Sequence, residues 1–482
     1  MTSTVAPPTP PPAPTAARAA GAGIALVLVA QLMIVLDSAV VNVALPRIAA
    51  DLEFTPAALT WVLNGYTLAF GGLLLLGGRL GDVFGRRRMF IIGLSVFTLF
   101  SLAGGLAPTD DLLVFARALQ GFGAAIAAPQ VLALLTTSAK DEAGRARAIA
   151  LFAAVSSSGA SIGLILGGIL TDIASWRWTL FINVPIGLVV LALVGRLVSE
   201  TDRRPGRFDV VGALTATGGA AAIVWSLIGA PEHGWASPRT IGGIAVGLLL
   251  LVALVLTERR VAHPLLRLQL FTSHRRVAAL VATLGLVGAQ FSTFYLTVIY
   301  LQGVLGLGPL ASGLAFLPLS LTIFTMSRIA PRIAGRIGMH RVLVVGAVGL
   351  TASFVWLSTL SETSTYAGAV LAPFILNGAF ASLVFTSTTA LALEGVDAAH
   401  AGSASGLVQT MQQLGGSIGL AVIASVYVAN GTPGEVVPGL REAFLAAASL
   451  AAIGIIASLT LVIRRPTRVP AYAPEPVVAA AE

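Results

Sequence analysis

Two ionisable residues stand where a charge is hardest to keep. Asp37 lies inside an apolar stretch running from about 22 to 46, and Arg117 inside another from about 112 to 136. A charge within hydrocarbon costs several kcal/mol unless it is paired, so such residues are functional candidates by default. At 1.5 Å per residue, Asp37 sits roughly 13 Å below the outer end of its stretch and Arg117 roughly 8 Å below the outer end of its own. The difference, about 5 Å, is within reach of an arginine side chain if the two helices face each other. Two readings stand side by side: a static ion pair that locks two helices, and a proton site. Burial favours the neutral carboxylic acid and a neighbouring cation favours the carboxylate. Moving the pair apart and together would then switch the acid between holding and releasing a proton, with Asp37 the carrier and Arg117 the residue that tunes it.

Other side chains point to a binding chamber. Asn42, Asn64, Tyr66, Gln290, Tyr295, Asn377, Gln409, Gln412 and Gln413 all fall inside apolar stretches. Any one of them is more often an interhelical hydrogen bond than a ligand contact. As a set they describe a weakly polar, largely uncharged substrate cavity. Gly159, Gly163 and Gly167, with Gly168 beside them, recur every fourth residue and form a packing stripe. Trp176, Trp178 and Trp235 stand near stretch ends and read as interfacial anchors. The chain has no GxxxxGK[ST] or HExxH pattern and no GxSxG nucleophile elbow, since its GxSxG matches at 159–163 and 415–419 lie inside apolar stretches, so ATP hydrolysis, zinc proteolysis and serine-nucleophile chemistry are not expected. With no cysteine, disulfides and thiolate sites are excluded. The chain is expected to be no enzyme and to need no cofactor or metal.

The elements that must position these groups follow from composition. Of 482 residues, 56% are hydrophobic and only 10% charged, against about 25% charged in a soluble domain. The apolar residues come in blocks of the length a helix needs to cross hydrocarbon. Ten-residue alternation of the kind a β-barrel shows is missing. The blocks run 22–46, 59–79, 89–107, 112–136, 148–172, 178–198, 209–229, 241–257, 277–301, 312–331, 342–360, 365–393, 404–429 and 441–463. Fourteen spans put both termini on one side. Arg86, Arg87, Arg88, Lys140, Arg145, Arg147, Arg203, Arg204, Arg207, Arg259, Arg260, Arg267, Arg275, Arg276, Arg332, Arg336, Arg341, Arg464, Arg465 and Arg468 fall on that side; Arg47, Arg177, Arg239 and Arg441 fall on the other. The positive-inside rule makes the basic side, and both termini, cytoplasmic, in a cell membrane. The net charge of +8 therefore belongs to the inner loops, not to a nucleic-acid surface. Residues 1–21 are expected to be a disordered proline-rich tail and 464–482 a second cytoplasmic tail.

The chain also repeats itself. The turn from Gly78 to Arg87 has an eroded echo at Ile333–Gly338, about 253 residues on, and the stripe Gly159/Gly163/Gly167 reappears as Gly415 and Gly419, about 256 residues on. These offsets imply two related six-helix halves, 22–198 and 277–463, with two helices inserted at 209–257. Such repeats commonly hold a transporter's substrate site at their interface.

The residues carry a resemblance that covers nearly the whole chain. The first span ends Leu36-Asp37-Ser38-Ala39-Val40-Val41-Asn42-Val43-Ala44-Leu45-Pro46, and the turn after the second reads Gly78-Arg79-Leu80-Gly81-Asp82-Val83-Phe84-Gly85-Arg86-Arg87. The fourth carries Arg117-Ala118-Leu119-Gln120-Gly121, and Trp176-Arg177-Trp178 leads into Asn183-Val184-Pro185. In this order the motifs resemble the fourteen-helix drug:proton antiporter branch of the major facilitator superfamily. The resemblance implies an all-α membrane fold of six plus two plus six helices, with Arg117 in the motif assigned to proton coupling. It also implies a conformational latch of Gly78, Asp82, Gly85, Arg86 and Arg87, in which Asp82 faces the N-terminus of the penultimate helix near Ser403–Gly406. Two positions depart from the pattern: Leu164 stands where the branch has proline, and Val83 where it has a base.

The function expected is export of a small amphipathic molecule, a drug or natural-product antibiotic, in exchange for protons. A proton-coupled transporter of another metabolite and a non-transporting membrane sensor are the alternatives. If Asp37 is engaged by Arg117 and protons, no carboxylate is left to hold a lipophilic cation, which favours neutral or zwitterionic substrates. The partners expected are substrate, protons and membrane lipid, around a monomer that binds no nucleic acid.

Overall fold

The computed structural model describes residues 14–137, 142–201, 209–261, 268–396, 401–432 and 435–463. Lys140, Arg203, Arg204, Arg207, Arg267, Arg464, Arg465 and Arg468, and most of both expected tails, lie outside the described residues. The fourteen long helices are α1 (Pro14–Asp51), α2 (Trp61–Phe84), α3 (Arg86–Gly105), α4 (Asp110–Thr137), α5 (Glu142–Ile173), α6 (Asn183–Leu197) and α7 (Val210–His233). They continue as α8 (Pro238–Glu258), α9 (His274–Gly303), α10 (Leu317–Ile337), α11 (Met339–Leu357), α12 (Leu371–Leu393), α13 (Ala401–Asn430) and α14 (Leu440–Ile463). Among the described residues, thirteen helical stretches are long and apolar enough to cross a membrane, and α5 adds a shorter apolar stretch, Ile162–Ile173.

Local chemistry sets the ends. The expected tail gives way early, because α1 starts at Pro14, not near residue 22. Proline's fixed φ suits a first turn, and the alanine-rich sequence that follows propagates a helix. Ser237, ahead of Pro238, caps α8, and Ser273 caps α9 through the Arg276 amide. Gly85 and Gly338 close α2 and α10 with φ of +103° and +87°, a region only glycine enters freely. They are the last glycines of the turn and of its echo.

The packing repeats as the sequence does. In α1–α6, α1 packs on α5, and α4 on α2 and α3; in α9–α14, α9 packs on α13, and α12 on α10 and α11. In the first half, Gly163 and Gly167 lie against the backbone of α1 at Leu36 and Val40. In the second, Gly415 and Gly419 lie against α9 at Leu284 and Gly288. The hairpin α7–α8 sits outside both halves, with α7 packed on α2 and α13 at once. Thr217 fills the space beside Gly72, and the Ser425 hydroxyl donates to the Leu227 carbonyl. The helix α8 beyond it is largely exposed, with Ile241, Val246, Leu248, Leu249 and Val252 facing outward, as expected of a lipid-facing surface.

The closest of these approaches tolerates no added volume. A side chain at 419 would meet the Gly288 backbone directly. Gly419→Leu is expected to force α9 and α13 apart at a cost of about 1–3 kcal/mol. A lowered melting temperature of the detergent-solubilised protein would register it, and an unchanged melt would contradict the packing described.

Candidate functional site

The helices α1, α2, α3, α4 and α6 converge on one buried carboxylate. Asp37 and Arg117 are each 1% exposed, and Arg117 Nη1 lies 2.6 Å from Asp37 Oδ2. The reach estimated from sequence is thus realised as a direct ion pair. The second oxygen, Oδ1, accepts from Gln120 Nε2 at 2.7 Å and from Asn183 Nδ2 at 2.8 Å. Gln120 stands three residues after Arg117, on the same face of α4. Its Oε1 accepts from Arg117 Nη1 at 2.6 Å, and its Nε2 donates also to Ser101 Oγ at 2.7 Å. The remaining guanidinium edge donates from Nε to the Val62 carbonyl at 3.1 Å, and its face lies 4.5 Å from the Tyr66 ring centre. The charge is therefore held in a cage of neutral dipoles with one aromatic wall.

Such a cage can do one thing that an exposed pair cannot. Three donors hold the carboxylate in place, so the ionised form is well solvated without water. Protonating Asp37 removes the charge that Arg117 answers, leaving a buried cation whose remaining partners are carbonyl oxygens and a ring. The pair thus ties α1 to α4 through a single buried contact.

Sequence reasoning missed Gln120, Asn183 and Ser101 as members of the site. Gln120 had a usable signal in its spacing from Arg117. Asn183 stood in the Asn183-Val184-Pro185 motif, which assigned it no role, and Ser101 gave no signal, since a lone serine barely alters hydropathy.

The expected latch residues are engaged differently. Asp82 pairs with Arg86 at 3.0 Å, and this is its polar partner among the described residues. At the approach of α13 to this region, Gly406 lies against Leu75, not Asp82. Gly85 supplies the positive-φ corner between α2 and α3. Arg87 turns away from α13, with Nη1 donating to the Val198 carbonyl at 3.1 Å. The Glu200 carboxylate reaches the first turn of α3 and accepts from the Arg87 and Arg88 amides at 2.9 and 3.1 Å. It supplies negative charge where four helix amides have no partner of their own. Glu200→Ala is expected to cost about 1 kcal/mol, read as a small fall in melting temperature. Gly78 lies at ordinary contact distance from Pro129 on α4.

The expected cavity residues are corrected in part. Asn64, Tyr66, Gln290, Tyr295 and Asn377 are sealed inside the bundle and line no open surface here. Tyr66 is the wall against Arg117. Gln290 and Asn377 bond each other at 2.9 Å, and the Tyr295 hydroxyl donates to the Pro56 carbonyl at 3.4 Å across the two halves. The Asn64 side chain has no hydrogen-bond partner among the described residues. Asn42 turns back to its own helix, donating to the Ser38 carbonyl at 2.9 Å. Gln409 is exposed, and Gln412 and Gln413 are half-buried. Within the glycine stripe, Gly159 meets Val35, Gly163 and Gly167 meet α1, and Gly168 meets Pro309 ahead of α10. Trp176 proves to be no lipid anchor: it is buried, its Nε1 donates to Asp51 Oδ2 at 2.9 Å, and Arg177 joins the same oxygen at 3.0 Å. Trp178 and Trp235 are exposed.

Comparisons with known proteins agree with this architecture. The family model described as Major Facilitator Superfamily matches residues 27–420. The cephamycin export protein CmcT of Amycolatopsis lactamdurans is 38% identical over 446 residues, covering 91% of this chain and 92% of that one. The puromycin resistance protein pur8 of Streptomyces alboniger is 42% identical over 408 residues, covering 83% and 80%. Among solved structures, an auto-inhibited peptide transporter of the POT family superposes with a TM-score of 0.68 at 16% identity, over 94% of this chain and 99% of that one. At that identity the likeness concerns the fold.

Proposed function

The chain belongs to the major facilitator superfamily, and from that premise we propose that it exports an amphipathic natural-product antibiotic in exchange for protons. The observation that carries the coupling is the caged Asp37–Arg117 pair, an acid with no contact to water in this arrangement and a partner on a different helix. Relatives with export or resistance in their names, for cephamycin, puromycin, lincomycin and tetracenomycin C, support the direction and the substrate class.

In this reading Asp37 takes a proton in the outward-facing state, when it and Arg117 are drawn apart. Return of the pair expels the proton on the opposite side, and substrate leaves in the other half of the cycle. The basic end bearing Arg86, Arg87 and Arg88 faces the cytoplasm of a cell membrane, so both termini are inside. Asp82 and its turn form a latch that engages α13 in the alternate state. The working unit is a monomer in lipid. Because Asp37 is committed to Arg117, the substrate is neutral or zwitterionic.

The test is a drug panel in a susceptible host with and without the gene: a cephamycin, puromycin, lincomycin, tetracenomycin C and tetraphenylphosphonium. At least one antibiotic is expected to lose potency, and a protonophore to restore it. Protection that survives the protonophore would refute proton coupling, and tetraphenylphosphonium as the best substrate would refute the charge preference.

A further inference from the structure

The cage around Asp37 has a counterpart in the other half, at the same positions and stripped of charge. In α1–α6, Gln120 on α4 links Asp37 on α1 to Ser101 on α3. In α9–α14, Asn377 on α12 links Gln290 on α9 to Ser353 on α11: Gln290 Nε2 donates to Asn377 Oδ1 at 2.9 Å, and Asn377 Nδ2 to Ser353 Oγ at 3.0 Å. The three pairs are separated by 252 to 257 residues, the offset of the internal repeat. The backbone cradle repeats as well. Gly121 lies against the Tyr66 carbonyl, and Gly378 lies against the carbonyl of Leu319. By the same offset, the position of Arg117 is taken by Phe374, which is fully buried and stacks on Phe316 with ring centres 5.1 Å apart. Gln290 Oε1 is left without a hydrogen bond among the described residues, as an acceptor must be once its guanidinium has become a phenyl ring.

We infer that this transporter moves a single proton per cycle, held in α1–α6, because the equivalent site in α9–α14 is an amide–amide–hydroxyl replica that cannot titrate. This rests on Asp37 being the proton carrier. Of the groups packed around Asp37, only Arg117 and Tyr66 are ionisable; of those bonded to Gln290 and Asn377, none is. Among the described residues the other buried acids and bases sit at helix ends, and Tyr295 and Tyr300 are buried phenols on α9. Asp209 caps α7, Glu258 ends α8, and Arg276 holds the carbonyls of Leu270, Ala392 and Glu394. The replica keeps the interhelical hydrogen bonds that fix α9, α11 and α12 in register, without the desolvation cost of a buried charge.

The experiment uses full-length protein in proteoliposomes at zero membrane potential, with a labelled cephamycin as the transported probe. The pH difference that just halts net flux is measured against a series of cephamycin gradients. The logarithm of the gradient is expected to equal the pH difference, a coupling ratio of one. A ratio of two overturns the inference. Gln290→Met, or Ser353→Ala should that variant fail to fold, is expected to keep the ratio at one whatever its rate. Loss of pH-driven flux with substrate exchange intact would show that the replica takes part in coupling, and would also overturn it. Asp37→Asn separates the two levels of the argument: pH-driven accumulation that persists in it refutes Asp37 as carrier, independently of the ratio.

Discussion

Asp37→Asn is expected to abolish uphill export completely, so that the substrate gradient in proteoliposomes collapses to its equilibrium value whatever pH difference is imposed. Asparagine matches aspartate in shape and still offers one oxygen to Arg117, but its amide nitrogen replaces the oxygen to which Gln120 and Asn183 donate, so those two contacts must be remade by turning amides over. It cannot take up a proton. Downhill exchange of labelled for unlabelled substrate needs no proton and is expected to survive. The split between lost accumulation and retained exchange is the diagnostic result. Loss of both would point to a structural part for Asp37, and retention of both would remove it from the mechanism.

Arg117→Met should be the more damaging change for the fold. The side chain ties α4 to α1 through Asp37 and to α2 through the Val62 carbonyl, and it stands over Tyr66. Removing it leaves a buried carboxylate facing a thioether. Breaking a buried pair from one side costs about 3–5 kcal/mol. Thermal melts of the variant against the parent would show the loss as a clearly lowered melting temperature. An unchanged melt would contradict the pairing described. Arg117→Lys should recover part of the loss, since an ammonium restores the charge but not the planar fork that reaches Asp37, Gln120 and Val62 together.

How far the molecule could be read from its residues differs by level. The spans were legible because hydrocarbon sets both a length and a composition, and the observed helices fall over the fourteen apolar blocks. The meeting of Asp37 and Arg117 was legible because charges are so rare in such blocks that two of them on antiparallel helices constrain each other. The rest of the cage was not. Neutral side chains such as Asn183 and Ser101 come from helices far apart in sequence, and only the folded arrangement brings them to one oxygen. The same ambiguity misled the reading of Gln290, Asn377 and Tyr66. A polar residue in a span satisfies itself either on a ligand or on a neighbouring helix; Gln290 and Asn377 bond across helices, while Tyr66 lays its ring against Arg117. Trp176 shows the complementary error, since a tryptophan at a span end is usually an anchor and here the exposed Asp51 carboxylate holds its buried ring through Nε1. The repeat showed as glycines first because close backbone approach tolerates almost no substitution, whereas the polar triads diverged in residue type while keeping their bonds.

The hairpin α7–α8 gives the bundle a left and a right within the plane of the bilayer. Where the two halves meet along α2 and α13, α7 is laid over the joint, bonded to α13 and packed on α2. Where they meet along α5 and α10, the contact is direct, through Gly168 on Pro309 and Gly313 on Leu164. One flank is sheathed, and the other is bare to the surrounding acyl chains. A molecule dissolved in the leaflet therefore meets two different surfaces depending on the side from which it drifts up.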